Sequence, residues 1–419
     1  MPTLAQIRQE VSKRMGRFAS GTATGGSTTT LVAANNALFY GDSNTPSDDL
    51  YPDWWILPTS GNESGNIRRV KQDGFAPATG TFTVPTAYAW GTGPANTDTF
   101  ELHGILHPTT IKEAVNRALR KMHHLYTFPL TLVPDGTMDE VTNTANWTAS
   151  NASLAKTTTQ AQVLHGTRAL SVTASSANGY AQSDAIAVEE NKEYYAATFF
   201  KGVAAATTPK LVAYDVTGSA EIDSETWTTG GDGGIQFAFT TPSSCRSVKL
   251  RLQVVENSKV VYFDNAILLA SERRLYPLPS FVLNPEAELQ EIYRLKNDRF
   301  TYHDVYLVHD WEVFNDITGQ TQYNVRLPDG TTTQPYWVQM WRRFDELSAD
   351  SDASTADLDW VSAGALMECY KLLRAEAPSA DVGAWEDRLN EARSDFRSKT
   401  RRFVPRKAIR VRSGLLDRT

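Results

Sequence analysis

Residues 247–255, Ser-Val-Lys-Leu-Arg-Leu-Gln-Val-Val, and 260–269, Val-Val-Tyr-Phe-Asp-Asn-Ala-Ile-Leu-Leu, decide how the middle of this chain folds. The first alternates apolar and polar residues with a period of two, the pattern of a strand with one face in a core and one in water. The second is a longer apolar run rich in β-branched and aromatic residues, a strand buried more deeply. Alternation extends back from there through Gly234–Thr240, Lys210–Tyr214, Tyr194–Phe200, Tyr180–Ser183 and Ala169–Thr173, each bounded by turn residues. Strands at such short, regular spacing predict an antiparallel β-sandwich over residues 139–270.

The flanks read differently. Leu4, Ile7, Val11, Met15 and Phe18 fall at helical steps of three and four, so residues 2–18 predict a short helix that needs a partner surface. Strand candidates follow at Trp54–Pro58, Ile67–Gln72, Gly80–Val84 and Thr99–Ile105, after a β-branched run near Ser20, and suggest a small barrel or sandwich over 20–106. A helix is expected over His107–Tyr126, with Ile111, Val115, Ala118, Leu119, Met122 and Leu125 on its buried face. Pro108 suits the first helical position, and Thr110 with Glu113 has capping-box spacing; the two cues place the start a residue or two apart. Extended stretches resume at Ile292–Leu295, Tyr302–Val308 and Tyr323–Leu327, and Pro328-Asp329-Gly330 predicts a hairpin into Tyr336–Trp341. Two last stripes, Leu358 to Leu373 and Trp385 to Phe396, are separated by Pro378 and predict an antiparallel helix pair. The fold class is therefore multidomain α+β: a helical core (1–19, 107–138 and 271–400), a small β subdomain (20–106), an inserted sandwich (139–270) and a basic arm (401–419).

Composition bounds the function. Of 419 residues, 41% are hydrophobic and 21% charged, a globular balance, and the net charge of −7 supplies no global attraction for nucleic acid or membrane. The charge is uneven: from Phe396 onward nine basic residues stand against one acid, about +8 locally. Cys245 and Cys369 are too few and too far apart for a disulfide framework or thiolate metal site. No signal-peptide pattern and no membrane-length apolar run is read, so a soluble protein of a reducing cytoplasm is expected.

Nucleophile-turn, phosphate-loop, dinucleotide-glycine and zinc-helix motifs are all missing, and no catalytic role is expected. His123 and His124, as helix neighbours, would point about 100° apart and not chelate one metal. His103 and His107 bracket a strand-to-helix corner. The adjacent acids Asp48-Asp49, Glu189-Glu190 and Asp345-Glu346 say nothing about two carboxyls converging across a cleft. Trp54-Trp55 and the sandwich aromatics Trp147, Tyr180 and Trp227 have two readings, a sugar-stacking platform and ordinary sheet packing. In the basic arm, Phe403, Ile409 and Val411 interleave Arg401, Arg402, Arg406, Lys407, Arg410 and Arg412. That pattern fits docking on an acidic partner better than a solvated tail, with contact to nucleic acid the third reading.

Two resemblances follow from these segments. Residues 139–270 resemble a jelly roll of the carbohydrate-binding-module type, through Trp147, Gly166-Thr-Arg-Ala-Leu-Ser-Val-Thr, Lys192-Glu-Tyr-Tyr, Thr240-Thr-Pro and Val261-Tyr-Phe-Asp-Asn-Ala-Ile-Leu-Leu. That resemblance implies glycan binding and a structural calcium, with Asp264 the one candidate ligand; no other cofactor is implied. The remainder resembles the head–tail adaptor (connector) proteins of tailed bacteriophages. The carriers are Leu4–Phe18, the Ser20-Gly-Thr-Ala-Thr-Gly-Gly run, Tyr51-Pro-Asp-Trp-Trp with Ile67-Arg-Arg-Val, Pro108-Thr-Thr-Ile-Lys-Glu-Ala-Val-Asn-Arg-Ala-Leu-Arg, Leu327-Pro-Asp-Gly and Ala363–Leu373. It implies a twelve-membered ring at the virion neck, assembled in the host cytoplasm without membrane contact. Its partners would be the portal and tail or neck proteins, with the arm touching portal or genomic DNA in the channel. The alternative is a carbohydrate-binding tail or surface adhesion protein that contacts a host glycan.

Overall fold

The computed structural model describes residues 1–33, 51, 53–77, 79–159, 161–204, 206–295, 305–315, 323–328 and 335–403. It divides into two compact units, Met1–His124 with Arg343–Thr419, and Leu125–Arg342. The second unit lies between the two stretches of the first and contains residues 271–342 along with the sandwich strands.

The first unit opens with helix α1 (Leu4–Arg14), closed at its N-terminus by a capping box in which Thr3 and Gln6 exchange side-chain-to-backbone bonds. Seven antiparallel strands follow: β1 (Phe18–Ser27), β2 (Thr30–Ala33), β3 (Trp55–Pro58), β4 (Arg68–Arg69), β5 (Phe75–Ala76), β6 (Thr81–Thr83) and β7 (Thr99–His103). Their order is β4-β3-β7-β1-β2-β6-β5. The sheet curls around Leu31, Ile56, Phe82, Phe100 and Leu102, all fully buried. Just past β4, Lys71 N–H donates to Thr83 O of β6 at 2.8 Å, so opposite arms of the sheet meet.

Helix α2 (Pro108–Lys121) starts at the proline, with His107 as the cap that accepts from Thr109 N–H. It is shorter than expected, because His123-His124-Leu-Tyr-Thr-Phe carries aromatic and β-branched residues that suit a strand, and β8 (His123–Pro129) forms there. His123 and His124 are consequently strand neighbours on opposite faces, and His124 stacks on Phe344 at 4.5 Å.

In the second unit the strands are β9 (Trp147–Ser150), β10 (Ala152–Thr157), β11 (Ala169–Ala174), β12 (Gly179–Ser183), β13 (Ile186–Ala187), β14 (Glu193–Val203), β15 (Pro209–Asp215), β16 (Ala220–Thr226), β17 (Gly231–Thr240), β18 (Ser247–Val254) and β19 (Val260–Ala270). Two antiparallel sheets face each other: β10-β11-β19-β14-β17, and β16-β15-β18-β12-β9 with β13 also on β18. The alternation quoted from the sequence fixes which side chains enter between them. Val248, Leu250, Leu252 and Val254 point inward to meet Val261, Phe263, Ala266 and Leu268. The chain enters beside the strand by which it leaves: Leu132 N–H donates to Leu268 O at 2.9 Å and Ala266 N–H to Gly136 O at 2.8 Å.

The five-stranded sheet is covered on its other side too. Tyr195, Ala197, Phe199, Ile267 and Leu269 pack into a second core with Tyr276, Leu278, Val325, Trp337 and Val338. That layer is built from β20 (Leu275–Pro277), α3 (Pro285–Glu288), β21 (Leu289–Leu295), β22 (Val305–Val308), β23 (Glu312–Asn315), β24 (Tyr323–Arg326) and β25 (Tyr336–Arg343). Asp329 and Gly330 of the expected hairpin lie outside the described residues. Among the described residues β24 pairs with β20 and β23, whereas β25 pairs with β21 and β8.

Helices α4 (Leu358–Glu376) and α5 (Val382–Phe403) complete the first unit. They are antiparallel: Trp360 Nε1, early in α4, donates to Thr400 late in α5, while Tyr370 lies 6.0 Å from Trp385 at the other end. Every residue from Trp360 to Tyr370 is buried, since α4 runs through the middle of a core shared with α1, α2 and α5. Gly364 permits this closeness; a Cβ there would stand 3.0 Å from Ala118 and Phe396. The helices are the minor part of a largely β chain, not a helical body with a β decoration.

Candidate functional site

The alternation that buries Leu250 and Leu252 turns Lys249, Arg251 and Gln253 to the other side of β18. Register brings neighbours to them. Gln182 of β12 and Val212 of β15 stand opposite Arg251, Tyr180 and Lys210 stand opposite Gln253, and Tyr214 stands opposite Lys249. The outer face of the six-stranded sheet is therefore lined by Tyr180, Gln182, Lys210, Tyr214, Lys249, Arg251 and Gln253, all half-buried. Among the described residues no apolar layer covers this sheet, unlike the five-stranded one.

Arg251 sits at the centre of that face. Its guanidinium lies 3.4 Å from the Tyr214 ring centroid and 4.6 Å from that of Tyr180. Stacking on two rings holds the planar group in place without using its donors. Arg251 makes no hydrogen bond or ion pair within 4 Å among the described residues, and its Nε is buried without an acceptor. A buried unpaired donor costs about 1–3 kcal/mol. Beside it, Lys210 Nζ bonds Glu221 at 3.2 Å, and Ser224 and Lys210 hold the Glu221 carboxyl below its ordinary range. The sheet's other acids are Asp215, buried at the end of β15, and Asp223 and Glu225 on the edge strand β16. Chemically this is a flat aromatic surface with oriented donors between the rings, suited to a ligand that stacks and accepts hydrogen bonds.

The three aromatics expected as a platform do not come together. Trp147 pairs with Ser183 and Tyr180 with Ser150, so they occupy opposite faces of the sheet. Trp147 is 4% exposed in the sandwich core, and Trp227 packs on the same core with its ring 5.7 Å from Phe200. Only Tyr180 faces outward. In the first unit Trp54 is buried, while Trp55 is engaged by Arg69 and, edge-on, by His107 at 4.5 Å.

Asp264, the calcium candidate, is fully buried. Its carboxylate accepts the backbone N–H groups of Leu164 and His165, the latter at 2.6 Å, and Asn265 Nδ2 at 3.3 Å. Burial raises its pKa above the ordinary value. Among the described residues no three His, Cys, Asp or Glu side chains gather as a metal site. Asp264 belongs instead to a buried polar knot with Asp139, which accepts from Tyr126 Oη and from Thr167 N and Oγ1.

A second constellation was invisible in the sequence. Ser12 Oγ lies 2.8 Å from His103 Nδ1, and His103 Nε2 lies 2.9 Å from Glu101 Oε2. This is the connectivity of a nucleophile relay. Yet Ser12, His103 and Glu101 are 1%, 1% and 2% exposed, and Ser12 is inside a helix against the curled sheet. Glu101 is also clamped by Arg8, which in turn binds Asp350. Burial alone would raise the Glu101 carboxyl, but hydrogen bonds from His103 and Arg8 hold it down to about 2. The group ties α1 to β7. The partners are about ninety residues apart, and no local signal links them.

Of the expected docking arm, Arg401 and Arg402 are exposed on the last turn of α5, which runs on to Phe403. Arg406, Lys407, Ile409, Arg410, Val411 and Arg412 lie outside the described residues, as do Asp48 and Asp49. Glu346 is paired with Arg120 at 2.8 Å. No helix among the described residues is long and apolar enough to cross a membrane.

Neither the family comparison nor the comparison with curated proteins gives a match. Among solved structures the chain is similar to the enzymatically active domain of bacteriophage CBA120 tailspike protein 4, at 12% identity and a TM-score of 0.28, over 34% of this chain and 21% of that one. It is similar to a CBM61 module in complex with β-1,4-galactotriose at 13% identity and a TM-score of 0.28, over 34% of this chain and 99% of the module. A CBM22-1 xylan-binding domain from Paenibacillus barcinonensis matches at 15% identity and a TM-score of 0.26, over 34% and 92%. The chain thus spans about a fifth of the tailspike domain but nearly the whole of the two modules. The strand order and register given above define an antiparallel two-sheet β-sandwich.

Proposed function

We propose that this chain is a non-catalytic binding protein whose jelly roll holds a carbohydrate on the outer face of its six-stranded sheet. One observation carries the reading. The five-stranded sheet is capped by an apolar layer, whereas the six-stranded sheet presents Tyr180, Arg251 and Tyr214 as one half-buried row with unused donors. Pyranose rings offer C–H faces that stack on tyrosine and hydroxyls that accept from a guanidinium. In this reading the helical unit supplies attachment to a larger assembly, and the sandwich supplies adhesion to a host glycan. A glycan array probed with the intact chain tests it: selective binding is expected for wild type and loss for Tyr180→Ala and Tyr214→Ala. Absence of any glycan signal would overturn it.

A second reading, compatible with the first, is a head–tail adaptor ring at the neck of a tailed phage, with the portal and tail proteins as partners. It is favoured by the packing of α1, α2, α4 and α5, drawn from both ends of the chain, into one core that ends in a basic helix terminus. Native mass measurement with and without the portal protein separates the two: a monomer that never joins virions leaves adhesion alone.

A further inference from the structure

We infer that the glycan taken by this face is anionic, with a sugar carboxylate received by Arg251; the inference rests on the carbohydrate reading above and names its substrate class. A neutral sugar needs rings and mixed donors and acceptors, which Tyr180, Tyr214, Gln182 and Gln253 already provide. It does not need a guanidinium fixed between two rings. A planar carboxylate matches a guanidinium fork through two parallel N–H bonds.

The charges around it point the same way. Lys249, on the same strand and face, has no ion-pair partner within 4 Å among the described residues. Glu221 pairs directly with Lys210 and acts on Arg251 only at longer range, so among the described residues the central strand's Lys249 and Arg251 have no acid within 4 Å. Of the acids on the edge strand β16, Glu221 stands opposite Tyr214 on this face, whereas Asp223 and Glu225 stand opposite the core residues Ala213 and Leu211. An acidic chain would therefore run over β18 and β12, past Lys249, Arg251 and Gln182, and away from β16. A nucleic acid would also bring anions and stacking faces, but two free cations are few for a phosphate backbone, which is normally met by a longer basic track.

Calorimetric titration of the intact chain tests the inference with three probes: a uronic-acid hexasaccharide, its carboxyl-reduced neutral counterpart, and a single-stranded oligonucleotide. The acidic sugar should bind about tenfold tighter than the neutral one, the gain of one good charge-assisted pair. Arg251→Gln should bring the two to parity, and Arg251→Lys should recover only part of the preference because an ammonium lacks the planar fork. Lys249→Gln, a surface change that leaves the Tyr–Arg–Tyr stack in place, should reduce the preference by a smaller factor and guards against a folding defect in the Arg251 variants. Equal binding of both sugars by wild type overturns the acidic class while sparing the carbohydrate reading. No binding of either sugar overturns both. Tightest binding of the oligonucleotide assigns the face to nucleic acid and overturns the proposal.

Discussion

Excising the sandwich at the ends its sequence suggests, residues 139 and 270, should give a much less stable protein than excising residues 125–342. The difference can be worked from the packing. Tyr195, Phe199, Ile267 and Leu269 are 6%, 7%, 0% and 0% exposed because the β20–β25 layer covers them. Each large apolar side chain returned to water forfeits about 1.5–3 kcal/mol, so these four together forfeit about 6–12 kcal/mol. That is an upper estimate, since an unfolded chain already buries part of such surface. It is still comparable to the whole stability of an ordinary domain, about 5–15 kcal/mol. Urea denaturation of the two fragments, followed by tryptophan fluorescence and near-ultraviolet dichroism, is the assay. Fragment 125–342 should unfold cooperatively, and fragment 139–270 should be unfolded, associated or shifted to a far lower midpoint. Equal midpoints would refute the idea that the second core is part of one cooperative unit.

Trp147→Ala should cost about 3–5 kcal/mol of stability through its core cavity, yet protein that folds should bind glycan unchanged. Tyr180→Ala should do the reverse, changing stability by less than about 1 kcal/mol, as surface changes do, while weakening glycan binding about tenfold or more; thermal melts and calorimetry read both. Arg8→Met should destabilise by about 3–5 kcal/mol, measured by urea titration, because Glu101 is left charged and buried without its guanidinium. The Glu101 carboxyl is held at about 2 against an ordinary 4.5, so its contribution is complete above pH 4.5 and is lost as pH falls toward 2. Burial pushes Glu140 the other way, to about 7 although the Ser280 amide opposes it, so its neutral form is favoured in the fold and stability should decline as pH rises from 4.5 through 7. Glu140→Gln should flatten that decline in melts taken across the range. Truncation after Phe403 should spare folding, since it keeps every core residue of α4 and α5 given above, and abolish co-sedimentation with an assembly partner if the basic segment is its docking arm.

The sandwich was legible because its strands alternate: Ser247–Val254 and Val260–Ala270 each declare one face, and their register follows. The same alternation already placed Lys249, Arg251 and Gln253 on a common outward face, and only Tyr180 of the eventual row was singled out. Tyr214 and Arg251 were missed because a strand pattern says which face a residue takes but not which strands are neighbours. Trp147 misled for the related reason that an aromatic fits a core and a platform equally well until pairing is known. The third layer was illegible in a different way. Tyr195, Phe199, Ile267 and Leu269 look like sandwich residues on the solvent side, and nothing nearby announces that residues 271–342 return to cover them. His123–Tyr126, the first half of β8, reads as the end of the preceding helix because a helical stripe and a strand can share their first apolar positions; its aromatic and β-branched content is the better guide.

Hydrogen exchange of the intact chain, with and without a saturating glycan found by array, tests the central claim most directly. The account predicts new protection on β12, β15 and β18 around Tyr180, Tyr214 and Arg251, with little change in the buried core or the helical unit. Protection confined instead to the 490 Å³ cavity lined by Glu189, Lys192, Tyr194 and Arg273, or no protection anywhere in the sandwich, would contradict it.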